Sequence, residues 1–210
     1  MQLPGRGWRL REEPMRDLDR MADEVVAALD TVQGRLALFG HSMGAWLGLE
    51  VARRLSAGGR APEVLFASGR QAPSIPSRLP PMGQLDQAQF VAAVQQRYGG
   101  IPNEILGDKA LLGLLIPALR ADISALESYR YRKSERLPCP LVVLGGEDDP
   151  HVSREDLAQW ESEAGADFRV RSFAGGHFYL SDPSCGLFEY LTQELHALRF
   201  ARTTRMVVRG

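Results

Sequence analysis

The chain has 210 residues, of which 44% are hydrophobic and 24% are charged, and its formal net charge at pH 7 is -1. This size suits one domain with a core of its own, so we expect a single domain over residues 1–210. The near-neutral charge gives no electrostatic case for binding nucleic acid. The sequence has neither an apolar run of 18 residues nor a signal-peptide core, so no membrane association is expected.

The two cysteines, Cys139 and Cys185, have no C-x-x-C or metal-ligand spacing. This favours free thiols in a reducing cytoplasm over a disulfide. The sequence also lacks a Walker loop, a dinucleotide fingerprint and internal repeats. We therefore expect a cytoplasmic protein with no cofactor and no bound metal.

Strand and helix patterns alternate along the chain after a short N-terminal segment. Residues 1–10 are predicted to form the end of a strand and a turn. Strands are predicted at residues 36–39, 63–67, 141–144 and 168–173. Helices are predicted at residues 17–29, 45–55 and 153–163, and after Pro183. This order is typical of an α/β fold with a mostly parallel sheet flanked by helices.

The most informative motif lies between the first complete strand and its helix. Residues 38–45 read Leu-Phe-Gly-His-Ser-Met-Gly-Ala and place Ser42 between Gly40 and Gly44 in G-x-S-x-G spacing. A strand before this motif and a helix after it are typical of a nucleophile elbow. The turn holds the nucleophile in a strained backbone conformation, and we expect both glycines to remove clashes there. The alternative is a helix N-cap serine in a Gly-rich turn.

A long segment separates the second and third complete strands, and we interpret residues 69–135 as a lid insertion. Residues 68–81 are rich in Pro, Ser and Gly and are predicted to form an exposed loop. Residues 84–133 are predicted to be helical. The predicted breaks are residues 99–100, Pro102, Gly107 and Pro117. The apolar run at residues 110–116 either lines a pocket for an acyl chain or packs on the core.

The basic residues of this segment do not define a binding face. Arg70, Arg78, Arg130, Arg132 and Lys133 are equally compatible with ordinary solvated charges. No binding face is therefore assigned to them.

Three adjacent carboxylates follow the third complete strand, where the acid of an α/β-hydrolase triad belongs. These are Glu147, Asp148 and Asp149. The spacing Gly146-x-x-Asp149-x-x-Val152 fits the hydrolase acid loop and favours Asp149, with Asp148 as the alternative. The other interpretation is a solvated turn in which either aspartate only orients the backbone.

A histidine follows the fourth strand, where the triad base belongs in the chain order Ser, acid, His. His177 comes directly after two glycines. Of the other histidines, His41 lies in the elbow and is predicted to be structural, His151 to lie in a loop, and His196 to lie on the surface of the last helix. We therefore predict that His177 is the general base.

These residues predict acyl transfer through a serine nucleophile. Ser42 attacks an acyl carbonyl, His177 takes its proton, and Asp149 holds the imidazole tautomer and stabilises the imidazolium. The backbone N–H of Met43, the residue after the nucleophile, is the predicted oxyanion donor.

Motifs from both ends and the middle of the chain together resemble a type II thioesterase. They are residues 40–45 (Gly-His-Ser-Met-Gly-Ala), 3–6 (Leu-Pro-Gly-Arg), 119–122 (Leu-Arg-Ala-Asp) and 175–180 (Gly-Gly-His-Phe-Tyr-Leu). These are the discrete editing thioesterases that accompany polyketide synthases and nonribosomal peptide synthetases. The resemblance covers nearly the whole chain.

The resemblance implies a substrate class that spacing and composition do not reveal. It implies hydrolysis of acyl thioesters on the phosphopantetheine arm of an acyl carrier protein or a peptidyl carrier domain. The implied role is editing, in which stalled or wrongly loaded acyl groups are removed so that assembly resumes.

The chain departs from the family pattern at its N-terminus. Family members begin with a further segment that contains a central strand, beside the elbow strand, and a Gly-rich loop that supplies a second oxyanion donor. Here the sequence starts at Met1, already at the end of a family strand, which suggests a misplaced gene start or a truncated gene. An N-terminally truncated chain is expected to lose about 100- to 1,000-fold in turnover with one oxyanion donor and to be poorly soluble with an unpaired strand.

Two further functions remain open from the residues alone. The same triad serves a general carboxylesterase that cleaves oxygen esters. A non-catalytic remnant or partner-binding module is the alternative from a different class, because the second oxyanion segment is missing.

Overall fold

A computed structural model describes the backbone of residues 2–207 and the side chains of residues 2–198. Met1, on which the expectation of a misplaced gene start partly rests, lies outside the described residues. The strands are β1 (Ala37–His41), β2 (Val64–Ser68), β3 (Leu141–Gly146) and β4 (Phe168–Phe173). They form one parallel sheet in the order β1-β2-β3-β4.

Burial along the strands follows their place in the sheet. All residues of β2 and β3 are buried, whereas burial alternates along β4 and β1 is exposed at alternate positions. Inner strands of a parallel sheet are covered on both faces and therefore read as continuous apolar runs. Among the described residues, β1 pairs only with β2, and Phe39 on β1 is 43% exposed.

Helices cover both faces of the sheet. They are α1 (Leu18–Leu29), α2 (Met43–Ala57), α3 (Gln87–Tyr98), α4 (Asn103–Leu106), α5 (Lys109–Ser128), α6 (Arg154–Ala158) and α7 (Leu187–Val207). On one face Leu49 of α2 packs in a cluster with Leu65 and Val143, and on the other Leu187 of α7 packs with Phe66. Successive strand residues point to opposite faces. The prediction of an α/β fold with a mostly parallel sheet flanked by helices is confirmed.

Three of the helices, α3, α4 and α5, lie between β2 and β3 and form a cluster of their own. Its buried members are Met82, Phe90, Val94, Ile101, Ile116 and Ile123. The predicted breaks at residues 99–100, Pro102 and Gly107 coincide with helix ends, but the predicted break at Pro117 is wrong because α5 continues through it. Ile116 and Ala118 beside the proline are buried, so packing offsets the backbone hydrogen bond that proline cannot donate.

The N-terminal segment does not form the predicted strand end over residues 2–10. Pro4 and Gly5 lie in a turn, and Gly7–Arg9 is a single 3-10 turn. Gly5 and Gly7 have φ values of +82° and +52°, which extended backbone does not adopt. The Arg6 guanidinium makes two hydrogen bonds, of 2.8 and 2.9 Å, to the Asp122 carboxylate on α5. Two of the family-like motifs are thus in direct contact.

Candidate active site

Ser42 lies at the sharp turn between β1 and α2. Its φ is +54°, and among the described non-glycine residues Ser42 alone has a positive φ. Such a conformation is expected of a strained elbow. A Cβ on Gly40 would lie 1.8 Å from the Gly44 carbonyl oxygen, so the turn requires glycine at position 40. The expectation for Gly44 is wrong, because a Cβ there would meet no atom within 4 Å.

The first turn of α2 contains Met43, whose role as oxyanion donor stays a prediction. Met43 is the first residue of α2, and N–H groups of a first helical turn have no acceptor within the helix. The helix dipole adds partial positive charge at this end. An oxygen that becomes negative beside Ser42 would therefore be stabilised by this amide.

The structure brings the three predicted triad side chains together in one hydrogen-bonded row. His177 Nε2 lies 3.2 Å from Ser42 Oγ, and His177 Nδ1 lies 2.8 Å from Asp149 Oδ2. The His151 amide donates to Asp149 Oδ1 over 3.0 Å. Asp148 is exposed, whereas Asp149 is buried. The assignment of Asp149 rather than Asp148 as triad acid stays a prediction, and this geometry supports it.

Close backbone contact holds the acid and base loops together. A Cβ on Gly146, at the end of β3, would lie 2.2 Å from the Gly176 carbonyl oxygen. Backbone amides at residues 147 and 148 donate to carbonyl groups at residues 173 and 175. Both loops leave the carboxyl ends of neighbouring parallel strands, where ligand sites of open α/β sheets lie.

Electrostatics favour an ionised carboxylate against His177. Burial by itself would raise the pKa of Asp149, but hydrogen bonds from His177 and the His151 amide outweigh it and hold that pKa below its usual value. An ionised Asp149 accepts a hydrogen bond from the Nδ1–H of His177, so Nε2 of His177 is left free to accept a proton from Ser42.

A second histidine packs against His177 and is held neutral. The His41 ring lies 5.0 Å from the His177 ring, and its Nδ1 is 2.9 Å from Ser68 Oγ. Ser68 Oγ is in turn 2.7 Å from the Tyr179 hydroxyl. Burial, helped by the charge of His177, lowers the pKa of His41 to about 4, against an opposing effect of Asp149. The sequence predicted a structural His41 but gave no signal for this hydrogen-bonded row.

A cavity of about 160 Å³ opens beside His177. Tyr98, at the end of α3, lines it, and the Tyr98 and His177 ring centroids are 5.0 Å apart. Ile123 and Leu126 supply apolar lining from the second half of α5. The run at residues 110–116 does not line this cavity. Leu112, Leu115 and Ile116 pack in the cluster formed by α3, α4 and α5, while Leu111 and Leu114 are exposed.

Arg70 also lines this cavity, which the sequence did not indicate. It is 9% exposed, so for this residue the interpretation as an ordinary solvated charge is wrong. Its guanidinium lies over the Trp46 ring at 4.4 Å from the ring centroid. Trp46 is on α2, 24 residues earlier, so the burial of Arg70 depends on tertiary packing.

The described residues contain neither a metal-binding cluster nor a membrane-spanning helix. Within residues 2–198, no three His, Cys, Asp or Glu side chains lie together in a way that suits a metal ion. Over the described backbone, none of the helices combines the length and apolar character needed to cross a membrane.

Comparison with known proteins gives a consistent result. Residues 1–195 match the thioesterase domain family. The chain is 39% identical over 211 residues to "Thioesterase PikA5" of Streptomyces venezuelae, covering 99% of this chain and 74% of the relative. The solved structure of the type II thioesterase BorB from the borrelidin biosynthetic cluster is 37% identical, with a TM-score of 0.75, and 86% of this chain and 71% of BorB are covered.

A second solved structure agrees more closely in fold. RedJ, the thioesterase from the prodiginine biosynthetic pathway of Streptomyces coelicolor, is 32% identical and gives a TM-score of 0.83, covering 94% of this chain and 78% of RedJ. With the parallel sheet and the serine elbow, these matches show that the chain belongs to the thioesterase domain family and is a thioester hydrolase similar to the type II enzymes.

Proposed function

We propose that this thioesterase hydrolyses acyl thioesters carried on the phosphopantetheine arm of an acyl carrier protein or peptidyl carrier domain. The observation that carries the proposal is the row from Ser42 through His177 to Asp149, with both hydrogen bonds between 2.8 and 3.2 Å. The names of BorB and RedJ place those thioesterases in biosynthetic pathways, and the resemblance to type II thioesterases adds the carrier-bound substrate class.

The proposed chemistry has two halves. In the first, His177 Nε2 takes the Ser42 proton while Oγ attacks the thioester carbonyl, and the Met43 amide stabilises the negative oxygen. The C–S bond then breaks, the thiol leaves with the proton held by His177, and the acyl group stays on Ser42. In the second, His177 takes a proton from water, the hydroxide attacks the acyl-serine, and Ser42 recovers its proton as the acid departs.

The proposed role is editing of stalled or misprimed acyl groups in polyketide or nonribosomal peptide synthesis. We assign the whole of residues 1–210 to one catalytic domain and residues 69–135 to a lid within it. The cavity between the lid and His177 supports that division, because a lid has to meet the reacting group. We place the reaction in the cytoplasm, which the unpaired Cys139 and Cys185 fit.

The test is hydrolysis of a propionyl thioester on a carrier protein by the wild-type chain and by Ser42→Ala, followed by intact mass. We expect the carrier to lose the propionyl mass with the wild type and to keep it with the variant. Brief incubation should add one propionyl group to the wild-type chain and none to Ser42→Ala. Equal hydrolysis by both proteins would contradict the proposal.

A second experiment, with an oxygen ester as substrate, distinguishes this function from that of a general carboxylesterase. Propionyl pantetheine and the corresponding oxygen ester differ only at the leaving atom. A thiol with a pKa of about 8.5 leaves more readily than an alcohol, so the uncatalysed rates of both compounds must be subtracted. We expect a clear preference for propionyl pantetheine after this subtraction, whereas a preference for the oxygen ester would favour the carboxylesterase.

A further inference from the structure

Arg70 has an environment that its charge does not explain. The side chain is 9% exposed, and its Nε has no hydrogen-bond partner. Among the side chains of residues 2–198, no carboxylate lies within salt-bridge distance of its guanidinium. Its guanidinium lies over the Trp46 ring, and Tyr98 lines the same cavity. A buried cation without a counterion is costly.

The other charged groups that line this cavity have hydrogen-bond partners, and two of them form an ion pair. Arg78 makes two hydrogen bonds to Asp156, of 2.8 and 3.1 Å. Glu127 accepts hydrogen bonds from backbone amides at residues 82 and 83. Arg97 donates to the neutral carbonyl of Pro80. Arg97 and Glu127 carry opposite charges and have only neutral partners, so among the Arg, Asp and Glu side chains of the lining the unpaired guanidinium of Arg70 leaves an excess of one positive charge.

The position of the cavity connects this charge to the reaction. The same cavity is lined by Arg70, Arg97, Tyr98 and the candidate base His177. An occupant would share the cavity with His177, and it would have to satisfy the buried guanidinium of Arg70. Guanidinium groups bind carboxylate and phosphate oxygens through paired N–H donors, and such charge-assisted bonds are the strong ones.

We propose that this cavity is an anion subsite, in which Arg70 binds a carboxylate or phosphate oxygen of the thioester substrate with Arg97 and Tyr98 beside it. The inference rests on the proposed function and adds the class of substrate group that the cavity takes. The anion has two possible sources, a second carboxylate on the acyl group and the phosphate of the carrier arm. An acyl group that ends in an ammonium would be repelled.

Matched substrates separate the two sources. Hexanoyl, adipoyl and 6-aminohexanoyl groups have the same chain length and end in a methyl, a carboxylate and an ammonium. Each is made as a pantetheine thioester, which has no phosphate, and as a 4′-phosphopantetheine thioester. The values of kcat/KM are measured for the wild type and for Arg70→Met.

Loss of one charge-assisted contact corresponds to roughly a 10- to 100-fold change. If the acyl carboxylate is the ligand, Arg70→Met lowers the adipoyl-to-hexanoyl ratio by about this factor. If the arm phosphate is the ligand, the phosphopantetheine-to-pantetheine ratio falls instead. Hexanoyl pantetheine, which has no anion, should change little in either case. If Arg70→Met leaves both ratios unchanged, the proposal is wrong.

Two further variants control for folding and for overall charge. Arg70→Lys keeps a cation and should recover part of the lost ratio, which a purely structural role would not predict. Arg130→Met removes one positive charge from an exposed position outside the cavity and should leave both ratios unchanged. Thermal unfolding of each variant identifies any that fails to fold.

Binding measured without turnover keeps this proposal distinct from the proposed function. Calorimetric titration of the wild-type chain with adipate and with 4′-phosphopantetheine should give binding by at least one of them that Arg70→Lys retains in part and Arg70→Met loses. Such binding without hydrolysis of any thioester would overturn the proposed function and leave the anion subsite standing. The opposite result is also defined. If Ser42→Ala abolishes hydrolysis but neither adipate nor 4′-phosphopantetheine binds and Arg70→Met leaves both kcat/KM ratios unchanged, the proposed function stands and the anion subsite is wrong.

Discussion

The carboxyl edge of the sheet and the lid segment of residues 69–135 are held in different ways. At the sheet edge, Ser42, His177 and Asp149 are joined by short hydrogen bonds, and backbones meet too closely for any Cβ at Gly40 or Gly146. The lid has a buried cluster of its own, and both polar contacts and apolar residues such as Ala125 attach it to the rest of the chain.

Three of these polar contacts lie close to the cavity or to α5. Arg6 bonds Asp122, His151 Nε2 lies 2.7 Å from the Arg97 carbonyl, and Arg78 bonds Asp156. The comparison suggests that the sheet edge fixes the chemistry while the lid selects the substrate. Changes at the sheet edge should therefore lower kcat for every acyl group, and changes in the lid should act on KM and on selectivity.

The largest expected effect at the sheet edge is that of Asp149→Asn. An amide in place of the carboxylate favours the wrong imidazole tautomer, and in a triad of this kind the loss in kcat is roughly 10⁴-fold. The measurement is kcat with hexanoyl and propionyl thioesters. Asp148→Asn, one residue earlier and exposed, is the matched control and should retain nearly full activity.

The reverse result would also be informative. If Asp148→Asn were the damaging change, the acid would have to be reassigned and the loop would have to rearrange in solution. A loss for one acyl length only would contradict the division of roles between sheet edge and lid.

The next effect concerns the two elbow glycines, which the sequence treats alike and the structure does not. In Gly40→Ala the new methyl would overlap the Gly44 carbonyl oxygen, and we expect the free energy of unfolding to fall by about 3 kcal/mol or more. Gly44→Ala meets open space within a helix and should cost no stability. Urea denaturation of both variants gives the comparison, and equal losses would contradict it.

The sheet edge was largely predictable because its signals are local. A nucleophile elbow, an acid loop and a histidine loop each follow a strand in the order that the fold requires. Ser42, Asp149 and His177 could therefore be expected to meet at one edge of the sheet without coordinates. The boundaries of β1 and β3 differ from the predicted strands by only one or two residues. Local pattern was also sufficient for α1, where Asp17 caps the helix.

The lid and the surroundings of the triad were less predictable because they depend on contacts between distant residues. Arg70 is buried over the Trp46 ring and shares a cavity with Tyr98, and neither residue is adjacent to it in sequence. Pro117 stays helical because its neighbours are buried. Residues 2–10 follow a turn set by two glycines and the bond from Arg6 to α5, whereas the expected strand end came from the family resemblance.

A smaller effect is expected from His41, and it depends on pH. Because the folded protein holds the pKa of His41 at about 4, against 6.5 ordinarily, the unfolded chain binds a proton more readily between these values. Stability from the neutral ring is therefore fully present above about pH 6.5 and is lost as pH falls toward 4. Between pH 7.5 and pH 5 the loss is roughly 2 kcal/mol.

Urea denaturation at both pH values tests this expectation with His41→Gln, which cannot take up a proton. The groups that face His41 are His177, Asp149, Ser68, Tyr179 and Phe178, and all are present in both proteins. The variant should lose less stability than the wild type on acidification. An identical loss in both proteins would mean that His41 is not held neutral.

The smallest expected effect lies at the attachment of the lid. Asp122→Asn removes the charge that Arg6 binds, in a pair whose side chains are 29% and 18% exposed, so we expect a loss of about 1–2 kcal/mol in unfolding free energy. Glu12→Gln removes a carboxylate from the exposed pair with Arg9 and should cost no measurable stability.

The kinetic outcome of Asp122→Asn is the sharper test of the two regions. A looser lid should raise KM several-fold and change the relative rates of acyl groups of different length, while kcat for the preferred substrate stays close to the wild-type value. If kcat falls with KM unchanged, then α5 and the triad are coupled. The lid would then have to be counted as part of the catalytic frame, because a shift of α5 would have reached His177 through Tyr98 and the cavity that both line.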